Sequence, residues 1–208
     1  MRVHSQATLE VVLAAFPKSL ADDVRVVMRG IPPADVSLPE HDRFRAITAL
    51  GECAIPSRVY FPELAVTASL NLTDAQAAIL AAIFTRHYSG YQREIWAVQL
   101  LSQPSAWSTP FVALLFKDYV QEILTALEQR MSEDWRPFIQ AFAVQNPLWL
   151  RQLSHQIVNY WAVYHRQKFP RLTDYSGYKL ARRMGVWDNK TAPNLTRSRP
   201  LEGLGISV

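Results

Sequence analysis

Between residues 88 and 166 the chain repeats itself. Tyr91, Tyr119 and Trp149 each stand three places before Glu94, Glu122 and Gln152, which lead directly into Ile95, Ile123 and Leu153. The copies open 28 and then 30 residues apart. Behind them, Pro110-Phe111 returns 27 residues later as Pro137-Phe138, with Trp107 and Trp135 ahead of the two pairs. A period of this size is the mark of stacked helical hairpins, each of which buries its apolar face only against its neighbours. It constrains shape far more than chemistry.

Local signals agree with helices. Ser89 stands three before Gln92, and Thr73 three before Gln76, so both fit a capping box. Pro110 suits the first turn of a helix, with Thr109 before it as a cap. Leu150, Leu153, Ile157, Trp161 and Tyr164 recur every three or four residues, giving one apolar stripe.

The run Arg86-His-Tyr-Ser-Gly-Tyr-Gln-Arg-Glu-Ile-Trp-Ala-Val-Gln-Leu-Leu, followed by Pro110-Phe111 and Asp118-Tyr-Val, resembles the short class of HEAT-like repeat over about residues 73–166. The resemblance implies an all-α fold: a short right-handed α-solenoid with an N-terminal helical region and an irregular C-terminal tail. It also implies an interaction scaffold more readily than an enzyme, although such arrays include nucleic-acid binders and lyase subunits. The third copy departs from the pattern at Gln152 and lacks a clear second helix.

Composition sets outer limits. A chain of 208 residues, 49% apolar and 19% charged, can bury a sizeable core. Glycine is scarce and helix-forming residues abound, so β structure is not expected to organise the fold. The single cysteine, Cys53, excludes an internal disulfide and fits a reducing compartment. No basic-flanked leader with a cleavage site opens the chain, and the longest apolar run, Ala75 to Phe84, is too short to span a membrane. A cytoplasmic location is the expectation. The net charge of +4 is uneven: residues 1–150 carry 12 Lys/Arg against 15 Asp/Glu, whereas 151–200 carry 10 against 2. The basic character belongs to the last quarter.

In order, residues 5–16 read as a helix stopped by Pro17. A second helix, capped by Ser19 or Asp22, runs to Gly30, and residues 31–40 are a proline-rich connector. Residues 40–50 read as a third helix with Phe44, Ile47 and Leu50 on one side and Gly51 closing it. Residues 53–72 read as an extended connector. Thr173-Asp174 can cap a last helix that stops at Gly185. The expected organisation is therefore residues 1–72 packing on an array at 73–185, with an extended or partly disordered tail at 186–208.

Chemical motifs are few. The five histidines show no ligand spacing, so no metal or cofactor is expected. Cys53 has no base assigned to it and reads as an inert thiol. Glu94 and Glu122, at equivalent places, could serve as acid and base in a groove beside Tyr91, Tyr119 and Trp149; pairing with Gln92 or Arg93 is the plainer expectation. Phosphate loops, nucleophile elbows and paired-cysteine motifs are absent.

Three functions remain. The first is a non-enzymatic interaction module that binds a protein along the first helices, through Gln92, Arg93, Gln99, Gln121, Arg151, Gln152, His155 and Asn159. The second is nucleic-acid binding by Arg166, Lys168, Lys179, Arg182 and Arg183 together with nearby aromatics. The third is an enzyme using the acidic, aromatic groove. A homo-oligomer through one end of the array stays open.

Overall fold

A computed structural model describes residues 4–33, 42–65 and 71–187. The chain is mostly helical, with one small antiparallel hairpin. Helix α1 (Gln6–Leu13) is capped by Ser5, whose Oγ accepts from the Thr8 N–H at 3.1 Å. Helix α2 (Ala21–Gly30) begins after a short 3-10 turn at Lys18–Leu20, with no side-chain cap from Ser19 or Asp22. Helix α3 (Asp74–Phe84) carries the expected capping box in full. The Gln76 amide also donates to Asp23 Oδ1 at 2.9 Å, fastening α3 to α2.

Next come α4 (Gly90–Leu101), α5 (Thr109–Leu115), α6 (Gln121–Arg130), α7 (Trp135–Gln145) and α8 (Pro147–Tyr160). A π-helical turn, Trp161–His165, ends α8, and α9 (Ser176–Arg183) closes the described chain. Gly185 terminates α9 with a φ of 72°, in the left-handed region that ends a helix at little cost for glycine.

Two local expectations fail for identifiable reasons. Ser89 makes no side-chain cap, and its own N–H goes to His87 Nδ1 at 3.1 Å, while Gln92 is turned inward. Its Oε1 accepts from Trp96 Nε1 at 3.0 Å and from the Leu64 N–H at 3.3 Å. Helix α5 includes Thr109 instead of being capped by it; the Thr109 hydroxyl donates to the Ser105 carbonyl at 2.7 Å.

The third helix expected near residues 40–50 is a strand. Strand β1 (Arg43–Thr48) pairs with β2 (Gly51–Pro56) from Arg43↔Pro56 to Thr48↔Gly51. Thr48 makes the turn: its Oγ1 accepts from the Leu50 N–H at 3.1 Å and donates to the Gly51 carbonyl at 2.8 Å. Gly51 then takes a φ of 108°, which glycine alone adopts readily. The spacing of Phe44, Ile47 and Leu50 imitates a helix, yet Ile47 and Leu50 are exposed while Ala46 is buried.

Both hairpin edges are occupied. The Ala54 N–H donates to the Ala14 carbonyl at 2.7 Å, joining β2 to the end of α1. Asn146, at the junction of α7 and α8, accepts from the Ile47 N–H at 2.9 Å and donates to the Ile47 carbonyl at 2.8 Å. An edge strand leaves backbone groups unpaired, and these bonds satisfy them.

Helices α1, α2, α3, α4, α6 and α9 pack each against the next, while α5, α7 and α8 lie behind them, with α7 against β1. One apolar core runs from Val11 to Val186 and includes both strands.

Candidate functional site

The residues expected on an exposed binding face divide by burial. Gln92, Arg93 and Gln121 are buried and hold the fold together, so they do not line a surface. Arg93 forks onto Asp118, with Nε to Oδ2 at 2.8 Å and Nη2 to Oδ1 at 3.1 Å. Its Nη1 donates to the His87 and Tyr88 carbonyls at 2.9 Å. The pair ties α4 to the turn before α6, and both side chains are almost wholly enclosed. The Gln121 amide donates to Thr125 at 2.9 Å and to Ser176 at 3.0 Å, joining α6 to α9. Gln99, Arg151, Gln152, His155 and Asn159 are exposed as expected.

Arg151 and Gln152 belong to an open hollow of about 620 Å³ between the hairpin and the start of α8. Arg43, Arg45, Ala46, Ile47 and Phe44 form its hairpin wall; Asn146, Leu148 and Trp149 belong to the wall opposite. Its charged residues are three arginines and a single carboxylate, Glu52. The Arg43 Nε is buried without a hydrogen-bond partner among the described residues. Ile47 and Leu148 are exposed apolar side chains in the same hollow.

Lys117 connects this hollow to a second group of cations. Its Nζ donates to Gln152 Oε1 at 3.3 Å and sits 5.9 Å from the Phe44 ring centroid. Burial, with Arg86 nearby, pushes its pKa from the usual 10.5 down to about 8. Arg86 is buried just after α3 and donates only to carbonyls, from Nε to Pro56 at 3.3 Å and from Nη2 to Ser57 at 2.7 Å. Arg58, half-buried, donates to the same Ser57 carbonyl at 2.7 Å. Tyrosines surround this group: Tyr60 stacks on Tyr88 at 5.7 Å, and Tyr119, Tyr160 and Tyr164 form a cluster 6.1–6.3 Å apart.

Four of the five cations expected to bind nucleic acid have contacts within the fold. Arg183 caps the C-terminal end of α6, donating to the carbonyls of Glu128 at 2.6 Å and of Leu127 and Met131 at 3.3 Å. Lys179 lies 3.5 Å from Glu128 Oε1. Arg166 covers the Trp161 ring at 5.5 Å and Lys168 the Phe169 ring at 5.6 Å. Arg182 is exposed. Lys190, Arg197 and Arg199 lie outside the described residues.

Glu122 is exposed, Glu94 half-buried, and neither forms an ion pair among the described residues; Arg93, the expected partner, is taken by Asp118. Tyr91 and Tyr119 are exposed, whereas Trp149, at the matching repeat position, is buried. Cys53 is buried and its thiol is pushed up to about 11 by desolvation, as an inert cysteine should be. His87 is satisfied: its Nδ1 accepts from the Ser89 N–H at 3.1 Å, so Nε2 donates to the Phe61 carbonyl at 2.8 Å. No group of three metal-ligating side chains occurs among the described residues. None of their helices is long and apolar enough to cross a membrane.

Comparison with protein-family models, with curated proteins and with solved structures finds no match to this chain.

Proposed function

We propose that this chain is a binding module with no reaction of its own, and that it holds an acidic segment of a partner protein in the hollow between the hairpin and α8. The observation that carries this reading is the lining of the hollow. Arg43, Arg45 and Arg151 face one carboxylate, Glu52, beside exposed Ile47 and Leu148. Such a surface suits a ligand with alternating carboxylate and apolar side chains: guanidinium forks take carboxylates in paired hydrogen bonds, and the apolar contacts are freed from water.

The scaffold fits a short right-handed α-solenoid of HEAT-like hairpins at residues 73–185. Helices α4 and α6 pack side by side and α5 packs on α7, which supports that reading. In this reading the third unit is irregular. Helix α9, not α8, is the one packed beside α6, which leaves the first turn of α8 free to form a wall of the hollow.

Binding through the C-terminal quarter is the weaker reading, because Arg183 and Lys179 are already engaged by α6. The deciding experiment is fluorescence anisotropy with a labelled peptide of alternating Glu and Leu and with a labelled single-stranded DNA. The peptide should bind, and Arg45→Glu and Arg151→Glu, both exposed, should each weaken it by roughly tenfold, about 1.4 kcal/mol. Unchanged peptide affinity in both variants would refute the hollow. DNA binding lost in Lys168→Glu and Arg182→Glu would move the function to the C-terminal quarter.

A further inference from the structure

Three cations lie beside the hollow, and none of them forms an ion pair among the described residues. Arg86 is only 6% exposed, yet its guanidinium reaches carbonyl oxygens alone, and its Nη1 has no hydrogen-bond partner among the described residues. Arg58 shares the Ser57 carbonyl with it, which draws two guanidiniums onto one oxygen. The Nε and Nη2 of Arg58 are uncommitted among the described residues. Lys117, bonded to Gln152, lies close enough to Arg86 for that guanidinium to lower its pKa.

The neighbouring carboxylates offset them only in part: Asp118 favours the charged forms of Arg58 and Arg86, and Asp42 that of Arg86, but burial and the like charges outweigh both. Both oxygens of Asp118 are used by Arg93, and Oδ1 also accepts from the Val120 N–H at 3.1 Å. Asp42 is exposed and accepts from the Ser57 hydroxyl at 2.6 Å. No ion pair to Arg58, Arg86 or Lys117 occurs among the described residues. A buried charge is ordinarily paired or bound to a ligand, because its desolvation is otherwise uncompensated. Arg86 is buried and Arg58 and Lys117 are half-buried, so an anion arriving from outside would offset that desolvation.

We propose that Arg58, Arg86 and Lys117 form a binding site for a phosphate-class dianion, either inorganic phosphate or the phosphate of a small nucleotide, with the stacked Tyr60–Tyr88 pair at its edge. A tetrahedral oxyanion matches the donors left open: the Arg58 Nε and Nη2 fork, which phosphate accepts in bidentate fashion, the Arg86 Nη1 joined to it at the shared carbonyl, and the Lys117 ammonium. Charge states agree with the geometry. Burial lowers Arg86 to about 9 and Lys117 to about 8, so both stay mainly protonated at neutral pH, and a bound dianion would hold them so. Exposed tyrosines offer phenolic donors to the oxyanion and ring faces to a base. The site differs from the hollow in its residues and in the size of its ligand, so it stands or falls separately from the acidic-segment reading.

The test is titration of the full chain with inorganic phosphate, and separately with adenosine monophosphate, followed by calorimetry and by thermal unfolding. Sodium chloride at matched ionic strength is the reference. Phosphate should give saturable binding and a rise in melting temperature beyond the chloride effect. Arg58→Gln and Lys117→Met should each weaken it by at least about tenfold. Arg58 is half-buried, so its variant keeps the test open should Arg86→Met fail to fold. Tighter binding of the nucleotide than of free phosphate, lost in Tyr88→Ala, identifies a nucleotide as the source; equal affinities identify phosphate alone. A chloride-like response to both ligands, or wild-type affinity in both Arg58→Gln and Lys117→Met, overturns the site.

Discussion

Lys117 is a charge held where the fold gives it little relief. Its ammonium sits 5.9 Å from the Phe44 ring centroid, and among the described residues its only side-chain hydrogen bond goes to the exposed Gln152. In the folded chain it loses its proton near pH 8, against 10.5 when solvated. Between these values the unfolded chain binds the proton that the folded chain has released, so this residue makes stability rise with pH across that window. Below about pH 8 the penalty is present in full. Lys117→Met should therefore melt higher than wild type at pH 7, by about 3 °C for roughly 1 kcal/mol. The gain should shrink as pH climbs from about 8 towards 10.5. Thermal scans of both proteins across that range check it, and a gain independent of pH would mean that packing, not charge, is responsible. Residue identity alone does not reveal such a site. Arg93 and Gln92 look like surface groups in sequence because Arg and Gln usually are, and only long-range partners, Asp118 and the Leu64 amide, explain their burial. Arg58, Arg86 and Lys117 are scattered along the chain, so nothing local marks them as neighbours.

Elements defined by neighbouring residues were readable; elements defined by distant ones were not. The Thr73–Gln76 capping box and the Gly185 stop depend on a few consecutive residues, and both occur as the pattern implies. The hairpin depends on what lies beside it. Arg43, Arg45 and Ile47 alternate with Phe44 and Ala46 at the period of a strand, but the competing three-residue spacing of Phe44, Ile47 and Leu50 hides that pattern. What decides is Asn146, about a hundred positions away, which gives β1 two of its outward hydrogen bonds. Asn146→Ala should leave the Ile47 N–H and C=O without that partner and cost about 2–3 kcal/mol by chemical denaturation. Asn146→Asp keeps the acceptor and should lose less. Amide exchange at Ile47 should accelerate in the alanine variant while the α3 amides hold their relative protection. If Ile47 exchanges as before, the hairpin is held by β2 and α1 alone.

At the scale of the molecule, the chain is mostly helical around one core, and the repeat pattern is uninformative about what it binds. Its third copy shows why. Tyr91 and Tyr119 face solvent, but Trp149 is 1% exposed, packed on Phe116 and edge-on to Phe142 at 5.2 Å. A residue at a repeat position can thus serve as surface in two copies and as core in the third, wherever a neighbouring element covers it. Trp149 also borders the hollow, so it joins the shared core to the proposed binding surface. Because the buried apolar residues form one cluster from Val11 to Val186, no part of the described chain has a separate core to retain. Trp149→Ala should therefore cost about 3–5 kcal/mol and lower the melting of the whole chain together, not of α8 alone. Far-ultraviolet dichroism, which follows every helix, and tryptophan fluorescence, which includes Trp96 and Trp135 away from the substitution, should shift by the same amount. Two separated transitions would mean that the N-terminal helices and the repeat region unfold as independent units, and the single core described here would have to be divided between α1–α3 and the helices that follow.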